Sequence, residues 1–289
     1  MTRVAIASLW LLHFLPAPLL WVIGVFFGLL LYVLAYDRRR VTRKNLQLCF
    51  PQQKAVQREW AVIRHLIAFG VSFINRTVVW WGSSARLQRW VRLEGWEHYA
   101  AHAGKPVILL APHFVGLDVV GSRLTMAMPF VSMFGRQKNP AFDRLLLHGR
   151  QRFATPTLVD RQAGLRPVLK ALKHGCAFYY LPDMDFGPQD AVFVPFFGVA
   201  AATVSALPRL ARLSGAVVIP VVAYQRAWGG GYVARFYPAW DHFPSEDLSA
   251  DIARMNAFIE ARVNEMPSQY FWLHKRFKTR PPGEARFYR

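Results

Sequence analysis

Apolar residues in this chain form one long run at the N-terminus and then short segments separated by amphipathic ones. The short segments that lack polar alternation are typical of strands buried on both faces of a sheet: Val107–Ala111, Ala177–Leu181 and Ala216–Val222. Phe130–Phe134 predicts one further strand, and Gly229–Gly231 predicts a hairpin loop between Ala216–Val222 and the strand Tyr232–Tyr237. Periodic segments between the strands predict helices: Leu117–Met128, Pro140–Phe153, Gly164–Lys173, Thr203–Leu213 and Leu248–Met266. Strands alternating with helices predict an α/β fold with a largely buried sheet.

The N-terminal run contains no charged side chain from Val4 to Tyr36. Its part from Leu19 to Tyr36 approaches the roughly twenty apolar residues that a bilayer span requires, and it is too long for a cleaved signal peptide. Asp37 and then three arginines, Arg38 to Arg40, follow it. By the positive-inside tendency, everything after residue 36 is expected to be cytoplasmic. The prediction is a membrane anchor with a basic flank in residues 1–40 and a cytoplasmic domain in residues 41–289.

Residues 52–93 predict helices with basic residues between the apolar ones. Their aromatic pair Trp80-Trp81 has two interpretations. One is packing in the protein core, and the other is a position at the level of the lipid headgroups beside the arginines. Both remain open from the sequence.

The charge balance indicates an anionic partner. Lys and Arg number 36 against 17 acidic residues, a net charge of +19 in a chain of 289 residues. Phosphorylated lipid, acidic membrane, acidic protein and nucleic acid all fit such a charge. The two cysteines, Cys49 and Cys176, fit a reducing compartment and predict neither a disulfide framework nor a metal site.

His113 follows the strand Val107–Ala111, and Asp118 falls in the first turn of the next predicted helix. Ligands of open α/β sheets usually bind beyond the carboxyl ends of the strands. The spacing lets the carboxylate fold back onto one ring nitrogen and leaves the other free to take a proton from a hydroxyl. The same spacing recurs at His242 and Asp247, in a polar stretch that predicts a solvated loop. Context therefore favours the first pair.

Polar side chains also follow the other predicted strands. Arg136 follows Phe130–Phe134, Arg161 lies beside Asp160 in a predicted loop, and the loop PDMDFGP after Ala177–Leu181 carries Asp183 and Asp185. The chain has no GxSxG elbow, Walker loop, dinucleotide fingerprint, CxxC or HExxH. A His with a nearby acid suits direct transfer, in which the imidazole activates an acceptor hydroxyl against an already activated donor.

Taken together, the motifs resemble the late acyltransferases of Kdo-lipid A biosynthesis, the lauroyl and myristoyl transferases of Gram-negative inner membranes. The motifs that carry the resemblance are RKNLQLCFP at 43–51, the His113 to Asp118 segment, GRQKNPAFD at 135–143, the Arg161 segment with LKALKHG at 169–175, PDMDFGP at 182–188, VFVPFFG at 192–198 and QYFWLHKRFKTRPPGE at 269–284. The resemblance implies a glycerol-phosphate-acyltransferase-like mixed sheet flanked by helices, with an N-terminal membrane-anchor helix. It also implies that residues 41–289 form an acyltransferase domain at the cytoplasmic face of the inner membrane.

The resemblance further implies roles for particular residues. His113 is the expected general base and Asp118 its orienting partner, acting on the hydroxyl of a 3-hydroxyacyl chain of a lipid A precursor. The donor is expected to be an acyl carrier protein thioester, with no metal and no cofactor. Four residues at motif positions are expected to hold the phosphorylated headgroup or the donor: Arg136, Arg161, Asp183 and Asp185.

Two departures and two alternatives accompany this interpretation. Met184 stands where some relatives have a His between the two aspartates, which argues against a proton relay in that loop, and Asp118 replaces the Glu of many relatives. The expected partners are acyl carrier protein, the lipid A precursor and membrane lipid, and not nucleic acid. One alternative keeps the chemistry but acylates another glycolipid or an ornithine-type lipid. The other is a non-enzymatic membrane protein that binds anionic lipid or nucleic acid.

Overall fold

The computed structural model describes residues 2–154 and 156–288. Its helices are α1 (Thr2–Leu12), α2 (Ala17–Leu34), α3 (Tyr36–Cys49), α4 (Ala55–Trp81), α5 (Ser84–Trp90), α6 (Trp96–Ala100), α7 (Leu117–Leu124), α8 (Pro140–Gln151), α9 (Arg166–Lys173), α10 (Ala206–Ser214) and α11 (Leu248–Glu265). Its strands are β1 (Val91–Glu94), β2 (Val107–Leu110), β3 (Phe130–Phe134), β4 (Thr157–Asp160), β5 (Ala177–Tyr180), β6 (Ala191–Phe196), β7 (Val199–Val204), β8 (Val217–Gln225) and β9 (Tyr232–Phe236).

A seven-stranded sheet in the order β1-β9-β8-β2-β5-β3-β4 forms the centre of the molecule. Neighbouring strands are parallel except β8 and β9, which pair antiparallel across the Gly229–Gly231 loop. Every residue of β2 and β5 is buried, as expected for parallel strands with helices on both faces. The predicted α/β fold with a mixed sheet flanked by helices is therefore confirmed.

Four strands, β1, β4, β6 and β7, were not predicted, because their patterns are short or weak. β1 follows α5 without a break, and β4 is an edge strand that ends at Asp160, where a loop was predicted. β7 occupies residues 199–204, pairs antiparallel with β6 around Gly198, and delays the start of α10 to Ala206. The small side chains of β7 carry no clear alternation of apolar and polar residues, so its first half was left out and its end was assigned to the helix.

Helix α2 packs closely on helix α4 through glycines. A Cβ atom on Gly24 would lie 2.5 Å from the Cα of Val71, and one on Gly28 would lie 2.5 Å from the Cα of Ile67. A Cβ on Gly70 would meet the backbone of Gly24 and Gly28 at 2.6 Å. Small residues of this kind let two helix backbones approach each other closely. The long apolar segment of the sequence therefore forms a helix, α2, that packs directly against α4.

Both α2 and α4 are long and apolar enough to cross a bilayer, but 67% of the apolar window of α4 is buried within the protein, against 17% for α2. Trp80 is 1% exposed and Trp81 half-buried, so Trp80 packs in the core. The predicted division at residue 40 falls inside α3 and remains a prediction.

The inner face of α4 carries polar side chains that hold it against the sheet. Asn75 donates a hydrogen bond to the hydroxyl of Tyr232 at 2.8 Å, and Gln225 of β8 donates to the same hydroxyl at 3.1 Å. Ser72 donates to the backbone carbonyl of Val115. Helix α4 thus lies between α2 and the side of the sheet where β2 ends and the His113 segment begins.

The C-terminal motif packs directly behind His113. The backbone N–H of Phe271 donates to the carbonyl of His113, and that of Val115 donates to the carbonyl of Gln269, both at 2.8 Å. Arg276 is fully buried and donates to the carbonyl of Ala202 in β7 at 2.9 Å. The C-terminal segment therefore fixes the backbone around His113.

Candidate active site

His113 pairs with Asp183 through both its backbone and its ring. Its backbone N–H lies 3.1 and 3.0 Å from the two carboxylate oxygens, and its ring Nδ1 lies 2.8 Å from Oδ1. The Asp183 side chain is fully buried, whereas the His113 side chain is 17% exposed. The imidazole is thus fixed on one side by a buried carboxylate and reaches the surface.

The sheet explains why these two residues meet. β2 and β5 are parallel neighbours with Leu110 opposite Tyr180, and the N–H of Ala111 continues the ladder by donating to the carbonyl of Tyr180 at 2.8 Å. His113 and Asp183 each stand three residues beyond these paired positions. Parallel strands end at the same edge of a sheet, so equal spacing places the two side chains together.

Asp183 is held in its charged form. Burial alone raises the pKa of its carboxyl, but charge attraction and hydrogen bonds from His113 outweigh burial and bring the pKa to about 2. At neutral pH the ionised carboxylate accepts a hydrogen bond from Nδ1–H. That tautomer leaves the lone pair of the imidazole on Nε2, where a proton can be taken up.

The predicted hydrogen bond between Asp118 and the His113 ring is wrong, because both oxygens of Asp118 have other partners. Nη2 of Arg76, from α4, lies 2.8 Å from one oxygen, and Nη2 of Arg150, from α8, lies 2.9 Å from the other. Burial raises the pKa of Asp118, and the two guanidinium groups more than reverse this and hold it well below its usual range. Asp118 lies in the first turn of α7 and faces α4 and α8, so Asp183 from the neighbouring strand is the acid that reaches the ring.

Arg136 and Arg161 lie together at the ends of β3 and β4. Arg136 is 78% exposed and pairs with Asp160 at 3.1 Å. The exposed guanidinium of Arg161 stacks over the ring of Phe186 at 4.4 Å from its centroid, and a Cβ on Gly135 would lie 3.5 Å from it. Since β5, β3 and β4 are parallel neighbours, these arginines lie at the same edge of the sheet as His113.

Asp185 is bound to the C-terminal tail. Its carboxylate accepts from the backbone N–H of Thr279 at 2.6 Å, from the Thr279 hydroxyl at 2.8 Å and from the N–H of Gly187 at 3.0 Å. The structure therefore brings His113 and Asp183 into contact and Arg136 and Arg161 into one group, whereas Asp185 links the loop to the tail.

A model of the family described as "Bacterial lipid A biosynthesis acyltransferase" matches residues 1–279 of the chain. The chain belongs to this family. The lipid A biosynthesis lauroyltransferase of Escherichia coli K12 is 33% identical over 286 residues, which cover 98% of this chain and 93% of that protein. The myristoyltransferase of the same organism is 31% identical over 286 residues, with coverage of 94% and 84%.

Family membership confirms the resemblance that the motifs indicated, and with it that the chain is an acyltransferase of lipid A biosynthesis. A lipid A biosynthesis acyltransferase of Haemophilus influenzae is 37% identical over 259 residues, with 86% of this chain and 79% of that protein covered. Among solved structures, a 1-acyl-sn-glycerophosphate acyltransferase of Thermotoga maritima aligns at a TM-score of 0.37 and 17% identity, over 86% of this chain and 97% of that one.

The candidate site contains side chains that the sequence analysis did not single out. Arg76 is the one acidic or basic residue between His65 and Trp81, and a lone charge in an apolar helix is a signal that could have revealed it. Arg150 carries no such signal, because many arginines lie on exposed helix faces.

Two further groups lie behind Asp183. Tyr270 is fully buried; burial first and then the Asp183 charge raise the pKa of its hydroxyl. His274 points its Nδ1 at the carbonyl of Phe271 at 2.6 Å, and burial lowers the pKa of His274 to about 4. Both groups are therefore neutral near pH 7.

Within residues 2–154 and 156–288, no three His, Cys, Asp or Glu side chains form a group that could hold a metal ion.

Proposed function

We propose that this family member transfers a fatty acyl group from an acyl carrier protein thioester to the hydroxyl of a 3-hydroxyacyl chain on a lipid A precursor. The observation that carries the proposal is the His113 ring, held at Nδ1 by the buried carboxylate of Asp183 and open at Nε2. This is the arrangement that a general base for a hydroxyl requires.

In the proposed reaction, Nε2 of His113 takes the proton of the acceptor hydroxyl while its oxygen attacks the thioester carbonyl carbon. The tetrahedral intermediate collapses, the carbon–sulfur bond breaks, and the proton on Nε2 passes to the leaving thiolate. The products are an ester on the lipid and a free thiol on the carrier. Asp183 acts as a positioning residue that keeps the imidazole in the productive tautomer throughout.

The charged residues around this pair suggest how the substrates are held. Arg136 and Arg161 present exposed guanidinium groups at the same edge of the sheet, where a phosphate of the lipid or an acidic surface of the carrier protein can reach them. The net charge of +19 attracts both acidic substrates. For Asp118 we propose a role in holding Arg76 and Arg150 in place, and for Asp185 a role in fixing the loop that carries Asp183.

We also propose that the protein works at the cytoplasmic face of the inner membrane. The apolar surface of α1 and α2 supports attachment to a bilayer, and the cluster Arg38–Arg40 that follows it favours the cytoplasmic side. Acyl carrier protein thioesters would meet the enzyme on that side.

The test is transfer of a radiolabelled lauroyl or myristoyl group from acyl carrier protein to a Kdo-lipid A precursor in detergent extracts. His113→Asn is compared with His242→Asn, because His242 has the same spacing to an aspartate but is exposed in a loop. We expect transfer by the wild type and by His242→Asn, and none above background by His113→Asn.

The remaining outcomes separate the alternatives. Thioester consumption without labelled lipid A would keep the chemistry and change the acceptor to another lipid, such as an ornithine-type lipid. An absence of thioester consumption, together with salt-sensitive binding of nucleic acid, would favour the non-enzymatic alternative.

A further inference from the structure

The N-terminal end of α2 is attached to the catalytic domain. A Cβ on Gly229, in the loop between β8 and β9, would lie 2.6 Å from the backbone of Ala17. The rings of Trp21 and Trp228 are in contact, with their centroids 4.5 Å apart and their planes tilted by 38°. In the turn before α2, Arg86 of α5 donates hydrogen bonds to two backbone carbonyls, those of His13 and Leu15.

The C-terminal end of α2 is attached to the same domain. The hydroxyl of Tyr32 donates to the carboxylate of Glu59 in α4 at 2.5 Å, and Arg43 of α3 pairs with the same carboxylate at 2.6 Å. Ala17 and Tyr32 are separated by about 22 Å along a helix that rises 1.5 Å per residue. The domain thus lies against α2 over most of the length of this helix, and the contacts at its two ends include charged side chains.

A helix that crosses a bilayer separates its two ends by a hydrocarbon layer of about 30 Å. If α2 crossed in this way, the domain attached along it would have to enter the hydrocarbon together with either Arg86 or the Glu59–Arg43 pair. Charged groups at that depth cost several kcal/mol each unless protein or water surrounds them. Helix α4 meets α2 through Gly70 on one side and carries Arg76 on another. Arg76 pairs with Asp118 of α7, so both charges would be drawn in as well.

Between residues 4 and 34, where the structure describes the side chains, the outward side of the two N-terminal helices is apolar except for Ser8. The exposed large apolar side chains of α1, the turn and α2 are Val4, Trp10, Leu11, Phe14, Leu19, Val22, Phe26, Leu29, Leu30, Val33 and Leu34. On α2 they recur every three or four residues, which places them in one stripe opposite Gly24 and Gly28. Trp228 continues this surface at the N-terminal end of α2 and is 75% exposed.

We propose that α1 and α2 lie along one leaflet of the membrane, in its plane, and that Trp228 enters the same leaflet beside them. Tryptophan favours the membrane interface, where its ring is half in the apolar layer and its N–H stays among polar groups. The partner is a phospholipid bilayer surface. This inference refines the membrane attachment in the proposed function and does not depend on the acyl-transfer chemistry.

The first test asks on which side of the membrane each end of the chain lies. A protease-cleavable tag is placed at each terminus of the full chain, and sealed inside-out membrane vesicles are digested from outside. We expect both tags to be removed to the same extent. Removal of the C-terminal tag alone, with the N-terminal tag lost only after detergent is added, would show that α2 crosses the bilayer and would overturn the proposal.

The second test concerns Trp228. A fluorescent probe is attached to Trp228→Cys, or to Leu213→Cys as the control, in a chain with Cys49→Ala and Cys176→Ala. Leu213 is 69% exposed on α10, away from this surface. In phosphatidylethanolamine and phosphatidylglycerol vesicles, spin-labelled lipid should quench the probe at 228 severalfold more than the probe at 213. Equal quenching would overturn the assignment of Trp228.

Acyl transfer is measured in the same sealed vesicles as the removal of the two tags. Loss of transfer together with removal of both tags would count against the proposed function alone. Transfer together with a protected N-terminal tag would count against the in-plane placement alone.

Discussion

Replacing Asp183 by Asn removes the charge that holds the His113 ring and changes the shape of the side chain very little. The side chain is fully buried and touches both the backbone N–H and the Nδ1 of His113. The amide oxygen of Asn can keep the bond to the backbone, but it provides no anion for the ring. The expected result is an intact fold with a misdirected or wrongly protonated imidazole.

The size of the effect follows from the bond that is lost. A hydrogen bond to a charged group contributes about 1.5–3 kcal/mol, and each 1.36 kcal/mol corresponds to tenfold in rate. Loss of the ring bond alone therefore predicts a kcat between about 10-fold and about 150-fold lower. Loss of control over the His113 tautomer can increase the fall in kcat to about 10⁴-fold, the magnitude known for the corresponding change in serine protease triads.

The assay is steady-state transfer from acyl carrier protein with Asp183→Asn and Asp118→Asn in parallel, each with its thermal unfolding midpoint. Because Asp183 is buried, Asp183→Asn should lower kcat with little change in KM. Asp118→Asn leaves the His113 to Asp183 pair intact and releases Arg76 and Arg150. Its main effect should therefore be a lower unfolding midpoint, with a smaller effect on kcat. Near-normal kcat in Asp183→Asn, together with a collapse of kcat in Asp118→Asn, would refute the reasoning and restore Asp118 as the partner of His113.

Three further predictions concern packing, pH and the tail. Gly70→Leu should release α2 from α4 and lower the unfolding midpoint in detergent by several degrees, because the Cβ alone would meet backbone at 2.6 Å. The pKa of His274 is lowered to about 4, so the unfolded chain takes up its proton first. The contribution of His274 to stability should therefore fall by up to roughly 3 kcal/mol from pH 6.5 to 4, and His274→Asn should make the slope in chemical denaturation shallower, while His65, whose pKa is also lowered to about 4, keeps its own share. Asp185→Ala should leave the Thr279 N–H unpaired and speed proteolysis of the tail, whereas Asp190→Ala, on an exposed turn, should not.

Most of the sheet could be predicted because its central strands are uninterrupted apolar runs. Such runs mark β2, β5 and β8 directly, since buried parallel strands have no polar face. Edge strands and hairpins have weaker patterns, and β4 and β7 were missed for that reason. The helical nature of the N-terminal run was also predictable, but its packing on α4 depends on glycine contacts between segments far apart in sequence.

The predicted position of the candidate site remains a prediction, and the structure changes one predicted partner. His113 was identified because it follows a buried strand. Asp118 was chosen as its partner because sequence proximity favours it, whereas the structure gives that place to Asp183, which is seventy residues away in sequence and next to His113 in space. Strand order decides this contact, and strand order cannot be derived from periodicity.

The most direct test of the whole account is mass spectrometry of lipid A from a host that lacks its own late acyltransferases. The host carries either the wild-type chain or His113→Asn, with equal amounts of protein confirmed in the membrane fraction. We predict lipid A heavier by one secondary acyl chain with the wild type and unchanged lipid A with the variant. The same heavier lipid A in cells that carry His113→Asn would contradict the central claim that this imidazole is the base.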